Sequence, residues 1–322
     1  WRWQIAGHQI IPPGATLWWR WHLVLAGGEE IVLPVEMVIF EDDWFIWQSR
    51  TEDMLAVHWY RGSQDLAEQI LVAGLAALQQ LEQDIGVYPQ EVIDIYVYEE
   101  PSDLRGSIPG APGWIGGIAF PEHNIVLAVV NEDYYTDYGY LTVRHELGHV
   151  VIERFAFSCL VDPPVWLSEG LAMLAEGQED VQALEDVQAA IENDQLLTIR
   201  QIESAFSLHA DRAALSYAQS YSLVRYLVDT YGQDAMRDLL RALSTGQSGD
   251  GALVAVYGFD AGGLEDEWRA SIGAPPVERP VGEGLSTPVP TMALAAAPTS
   301  TSPATSTPLA ARADRMNRLL AD

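Results

Sequence analysis

The sequence predicts an α+β fold: a small antiparallel β module, then a mixed α/β segment, then a helical lobe. Three observations carry this prediction. Eight of the eleven tryptophans lie in the first 60 positions, among short alternating runs. Residues 55–177 mix helix-period and strand-like segments, and residues 178–273 read as helices separated by glycine stops. From about 274 to 308 the composition turns to Pro, Thr, Ser and Ala, which cannot bury a core. The expected division is a β module over 1–54, an α/β subdomain over 55–177, a helical lobe over 178–273 and a disordered tail over 274–322.

Leu17 to Leu25 alternates, with Trp19, Trp21, Leu23 and Leu25 on one face. Pro34–Phe40 and Trp44–Gln48 are further strand candidates, with Glu41-Asp42-Asp43 as the turn between them. An Ig-like module, incomplete at its start, is expected. Its tryptophans are expected to pack in cores and edges more than to form a carbohydrate- or peptide-binding surface. Ser63 to Ile85 carries Leu66, Ile70, Leu71, Leu75, Leu78 and Leu81 at helical spacing, with Ser63 as N-cap. Val92–Tyr98 is a strand, and 106–117 is a Gly/Pro-rich connection. Gly117 to Val130 reads as an edge-strand pair about a Pro121-Glu122-His123-Asn124 turn. Further helices are predicted over 165–176, 179–193, 198–206, 216–231, 233–244 and 260–272, with Gly232 and Gly246 as stops and a short terminal helix from Pro308 to Leu320.

The chemistry centres on His145-Glu146-Leu147-Gly148-His149. Two histidines four apart on a helix point from one face, so both imidazoles reach a single metal ion. The glutamate between them sits beside that ion, where it can take a proton from metal-bound water. Leu141, Val143, Leu147, Val150, Val151 and Ile152 make this a buried helix with a polar stripe, and polar groups in such a helix are costly unless paired or metal-bound. A carboxylate on a second helix completes three protein ligands and leaves the fourth position open, as catalytic zinc requires. Trp166-Leu167-Ser168-Glu169-Gly170-Leu171-Ala172 supplies a candidate in Glu169, with Gly170 and Ala172 permitting close helix packing. Glu176, seven residues on, shares its face and is either surface or the partner of a metal-binding histidine.

These motifs, with Tyr217-Ala218-Gln219-Ser220-Tyr221 leading into Leu223-Val224-Arg225-Tyr226-Leu227, resemble the gluzincin zinc peptidases, and more closely the bacterial peptidase MA-like family. The resemblance covers roughly residues 55–273 and implies a thermolysin-like zincin catalytic domain. It implies that His145, His149 and Glu169 hold Zn2+, that Glu146 is the general base, and that Tyr217 assists at the oxyanion, with Tyr221 as the alternative. Nineteen residues separate His149 from Glu169, as in that clan. The aminopeptidase branch carries a Gly-x-Met-Glu-Asn segment whose glutamate binds the substrate amine. Here the corresponding stretch is Gly116-Gly117-Ile118-Ala119-Phe120-Pro121-Glu122-His123, so endopeptidase action is as well supported.

Composition sets the boundaries of this reading. Asp and Glu number 46 against 17 basic residues, a net charge of −29, and all 17 are arginine. Such a balance argues against nucleic acid and anionic membranes as partners. Without lysine, Schiff-base catalysis is excluded. The single cysteine, Cys159, allows no intramolecular disulfide or cysteine-based zinc site, and its apolar neighbours predict a buried, inert thiol. No run of eighteen apolar residues or signal peptide is present. The chain starts at Trp1 and not Met, so an upstream piece with room for a signal is expected to have been removed or trimmed, and the Ser/Thr/Pro-rich spacer points to an extracytoplasmic or secreted protein. Zinc-dependent peptide-bond hydrolysis by a metal-activated water, acting on a peptide or protein substrate, is the expected function. The alternative is an extracytoplasmic peptide- or glycan-binding module that retains a metal site. The sequence is silent on oligomeric state.

Overall fold

In a computed structural model of the chain, residues 10–108, 116–131, 136–177, 180–204 and 210–277 are described. They fall in the first of two compact units, Trp1–Val277; the second, Glu278–Asp322, and with it the predicted tail and terminal helix, lies outside the described residues.

The fold is mixed α+β. It begins with a long antiparallel ribbon made of β1 (Thr16–Trp19), β2 (His22–Val24), β3 (Glu30–Val32) and β4 (Glu36–Ile39). β1 pairs with β4 and β2 with β3. Trp19 faces Glu36 and His22 faces Val32, so three steps along one arm match four along the other. That extra residue breaks the single strand expected over 17–25 into two. The described part of this module is therefore a ribbon, not the packed sheets of an Ig-like sandwich. Trp18, Trp19 and Trp21 are exposed on it, against the packing expected for them.

The strand expected over Trp44–Gln48 also differs. Its backbone is irregular, and the strand β5 runs instead over Gln48–Glu52. Asp42 explains the shift. It accepts from the Trp44 N–H at 3.3 Å and the Tyr98 hydroxyl at 2.9 Å, while its carbonyl accepts from Trp47 Nε1 at 2.8 Å. Side-chain bonds of this kind compete with a sheet ladder.

β5 is one edge of a five-stranded sheet, ordered β5-β6-β7-β9-β8, with β6 (Leu55–Trp59), β7 (Ile93–Tyr98), β8 (Gly117–Phe120) and β9 (Ile125–Val129). β6, β7 and β9 are parallel, and β8 returns antiparallel to β9 through a 3-10 turn at Pro121–His123. The crossover from β6 to β7 is α1 (Gln64–Ile85), capped by Ser63 Oγ, which accepts from the Leu66 N–H at 3.2 Å. One sheet face, with Leu55, Val57, Ile93, Ile95 and Val126, packs on α1 and on α3 (Thr136–Phe155). The other, with Tyr98, Phe120, Ile125 and Leu127, is covered by α2 (Pro101–Ser107) and by residues near Ala15 and Phe45. Both faces are buried, which suits the continuous apolar run of β9.

α4 (Val165–Ala175) begins after Pro163-Pro164 and is apolar nearly all round. Such a helix belongs in the interior, and α4 lies between α3 and α6. The helical lobe continues with α5 (Val181–Glu192), α6 (Ala210–Ser244), α7 (Gly249–Tyr257) and α8 (Ala261–Ser271). α6 joins the two helices expected over 216–231 and 233–244, and Gly232 interrupts it with φ +83°. In the described part of the helix expected over 198–206, up to residue 204, there is one 3-10 turn, Ile199–Gln201, closed by a capping box between Thr198 and Gln201. Cys159 is exposed, contrary to expectation. The chain leaves the core at Ala156, and Phe157 and Leu160 beyond it are exposed too. Among the described residues no helix is long and apolar enough to cross a membrane.

Candidate metal centre

α3 presents His145, Glu146 and His149 toward α4, which presents Glu169. The two histidine Nε2 atoms are 3.2 Å apart, and Glu169 Oε2 lies 3.3 Å from one and 3.4 Å from the other. Among the described residues this is the one group of His, Cys, Asp and Glu arranged to hold a metal ion.

The hydrogen bonds behind the triangle fix what its corners offer. His145 Nδ1 is 2.9 Å from Glu176 Oε1, so the ring donates there and leaves Nε2 with a lone pair. His149 Nδ1 is 3.0 Å from Ser168 Oγ, whose hydroxyl donates to Glu153 Oε1 at 2.9 Å. The serine oxygen therefore accepts from His149, which leaves Nε2 of that ring, too, as the atom that takes a metal or, without one, a proton. These tautomers follow from the network of partners. Three electron-rich atoms thus converge on one point. Glu169 Oε2 is buried there and makes no hydrogen bond of good geometry, despite its closeness to both nitrogens. Such an arrangement is repulsive unless a cation fills it.

Its dimensions match a particular ion. Ligands about 2.1 Å from a tetrahedral centre lie roughly 3.3–3.4 Å from one another, the spacing expected of a His and carboxylate zinc site. His145 and Glu169 side chains remain 19% exposed and His149 13%, so one side of the triangle is open. The donor set and its spacing fit zinc.

The electrostatics say the same. Burial opposes charge on both histidines, but Glu169 and Glu176 around His145, and Glu153 and Glu169 around His149, outweigh it and hold both rings above the ordinary imidazole value. Burial also acts against the Glu169 carboxylate, yet the two histidines hold it down to about 2. The metal-free triangle is a proton trap, and any metal must compete with those protons. With His145 raised to about 9 and His149 to about 10, that competition extends from below pH 6.5 well above neutrality. The apparent zinc affinity is therefore expected to rise with pH across this window, by about tenfold per unit for each proton displaced. Competition titrations against a chelator at pH 6, 7 and 8 check this, and a flat profile contradicts it.

Glu146 lies beside the triangle. Burial pushes its carboxyl above the usual value, while the histidines and the Ala119 backbone N–H on β8 act to hold it down. β8 passes so close that a Cβ at Gly117 would sit 2.9 Å from Glu146 Cγ and 2.4 Å from Thr142 Cγ2. Tyr217, on α6, has its ring centroid 6.4 Å from that of His145. Burial and the Glu169 and Glu146 carboxylates push its hydroxyl up to about 12. Tyr221 differs: it is 1% exposed, and its hydroxyl oxygen accepts from the Asp180 N–H at 3.3 Å.

Of the residues singled out from the sequence, His145, His149 and Glu169 meet at one point, Glu146, Tyr217 and Glu176 lie beside them, and Tyr221 turns to Asp180 instead. Sequence reasoning missed Ser168, Glu153 and the Ala119 amide. Glu153 carried a faint signal, one helical turn beyond His149, and Ser168 directly precedes Glu169. A backbone amide carries none.

Comparison with known proteins gives a matching family model and a set of similar solved structures. The family model of the Peptidase MA superfamily matches residues 73–274. The crystal structure of the M1 zinc metallopeptidase from Deinococcus radiodurans is similar with a TM-score of 0.41 at 14% identity, covering 84% of this chain. This chain spans 64% of that protein's length. No curated protein matches.

Proposed function

Because the chain belongs to the Peptidase MA superfamily, we propose that it is a zinc-dependent peptidase of the gluzincin type, with His145, His149 and Glu169 as ligands and Glu146 as general base. The observation that carries this reading is the triangle of two imidazole Nε2 atoms and a buried carboxylate oxygen, with edges of 3.2–3.4 Å.

When bound, zinc supplies Lewis acidity, making a water nucleophilic near neutral pH and polarising the carbonyl to be attacked. The chain's own groups handle the rest. Glu146, with its affinity for a proton raised by burial, accepts one from the attacking water and returns it to the leaving amine. The Ala119 N–H keeps that carboxylate aimed. The Tyr217 hydroxyl, which keeps its proton at neutral pH, donates to the carbonyl oxygen as negative charge develops on it. β8, at the edge of the described sheet and in contact with Glu146, offers a strand to which an extended peptide adds. The sequence lacks the Gly-x-Met-Glu-Asn segment that binds a substrate amine, so cleavage within a chain fits the site as well as cleavage from its end.

Replacing Tyr217 with Phe is expected to lower kcat by roughly 10²-fold, with zinc content unchanged, since one donor to a developing oxyanion is worth about that much. Tyr221→Phe is expected to affect stability and leave kcat near that of the parent. Steady-state kinetics on a quenched-fluorescence peptide separates the two, and equal kcat losses would remove Tyr217 from the mechanism.

A second reading, a binding module that retains its metal, draws on the exposed Trp18, Trp19, Trp21 and Trp44. The deciding experiment assays the purified protein for bound zinc and for chelator-sensitive cleavage of a broad peptide library. Stoichiometric zinc with cleavage supports the peptidase. Zinc without cleavage of any peptide favours the binding module.

A further inference from the structure

We propose that Glu153 is a positioning residue for this centre, acting through Ser168 to fix the tautomer and basicity of His149. The inference rests on the reading of His149 as a zinc ligand and deepens it.

The two histidines are supported unequally. His145 gives its Nδ1 proton directly to a carboxylate, Glu176, at 2.9 Å. His149 faces a neutral hydroxyl, Ser168 Oγ, at 3.0 Å. A carboxylate can only accept, so it dictates which nitrogen holds the proton. A hydroxyl both donates and accepts, and by itself it would tolerate either tautomer. The wrong one would protonate Nε2, the atom that faces Glu169.

Glu153 removes this ambiguity. Its Oε1 lies 2.9 Å from Ser168 Oγ and takes the single serine proton. The serine oxygen is then left as an acceptor, and the His149 ring must donate from Nδ1. The direct path is the weaker one, since Nδ1 lies 3.5 Å from Glu153 Oε1 but 3.0 Å from Ser168 Oγ. Ser168 is 8% exposed, closed between α3 and α4, so it works as a fixed relay. Its placement also ties the site together: His149 and Glu153 are one turn apart on α3, and Ser168 adjoins Glu169 on α4. Charge reaches the ring along the same line, because a carboxylate behind the hydroxyl makes its oxygen a better acceptor and the imidazole a stronger ligand.

The test uses the intact chain and measures zinc dissociation constants by competition with a chromophoric chelator. It also measures solvent exchange of the His149 Nδ1 proton in the zinc-loaded protein. Glu153→Ala and Ser168→Ala are each expected to weaken zinc binding by about 10–100-fold, to speed that exchange, and to do no more in combination than the stronger of the two. Combining Ser168→Asp with Glu153→Ala puts a carboxylate directly behind the ring, and is expected to restore affinity to within severalfold of the parent. That recovery also shows that the single variants had not lost zinc through misfolding. Single variants within twofold of the parent, or losses that simply multiply, overturn the relay while the zinc reading stands. A parent protein that binds no zinc overturns both.

Discussion

Glu146→Gln is expected to cut kcat/KM by roughly 10²–10⁴-fold while zinc stays bound. The substitution keeps the shape of the side chain and an oxygen to accept from the Ala119 N–H. What it removes is the capacity to take a proton. Glu146 is not a corner of the triangle, so the three ligands and their partners Glu176 and Ser168 are untouched. Removing a nearby negative charge weakens zinc only modestly. The loss should fall in kcat, since proton transfer belongs to the transition state and not to substrate binding. Metal analysis on the same preparation used for kinetics makes the result decisive. Activity close to the parent's would sink Glu146 as the base, and lost zinc would mean that it serves the ligands instead.

The second large effect is structural. Gly170 follows the proposed ligand Glu169 and faces α6 so closely that a Cβ would stand 2.4 Å from the Ser220 carbonyl oxygen and 2.6 Å from Val224 Cγ2. On the opposite side of α4, a Cβ at Gly148 would stand 2.8 Å from Ala172 Cα. The ligand helices are therefore packed backbone to backbone, and neither neighbour is a flexible side-chain tip that can swing away. Gly170→Ala is expected to cost about 1–3 kcal/mol through overpacking, lowering the melting temperature by roughly 2–4 °C for each kcal/mol in a chain of this size. Because α4 must move away from α6, Glu169 moves too, and zinc affinity should drop by about tenfold for every ~1.4 kcal/mol of strain that reaches the site. Gly106→Ala is the control. Nothing lies within 4 Å of its Cβ, and a helical alanine there should be neutral or mildly stabilising. Unchanged melting and zinc binding in Gly170→Ala would contradict the argument.

The centre was readable in the sequence because its geometry is local. His145 and His149 follow from helix period alone, and Glu169 and Glu176 from a second helix with the same repeat. Long-range contacts were not readable. Ser168 meets Glu153 only because α3 and α4 pack, and Ala119 reaches Glu146 only because β8 lies against α3. In the fold, the β8–β9 hairpin and α1 had clear turn and cap chemistry. The ribbon did not: one unmatched residue between Val32 and Glu36 leaves no trace in an alternating pattern. Cys159 misled because apolar neighbours usually mean burial, whereas this loop leaves the core one turn too early. α7 escaped notice because glycines at 249 and 251 weaken the propensity of its first turn.

The proposed ligands come from two helices joined by a surface loop, with nineteen residues between His149 and Glu169. An ion held by both helices is therefore also a cross-link between them. Linkage makes that relation reciprocal: whatever free energy the packed helices contribute to holding zinc, zinc returns to holding the helices together, adding about 1.4 kcal/mol to folding stability for each tenfold by which its free concentration exceeds Kd. The proposed metal centre and the packing of α3 on α4 are in that sense one thermodynamic object, and the availability of metal sets how firmly it is closed.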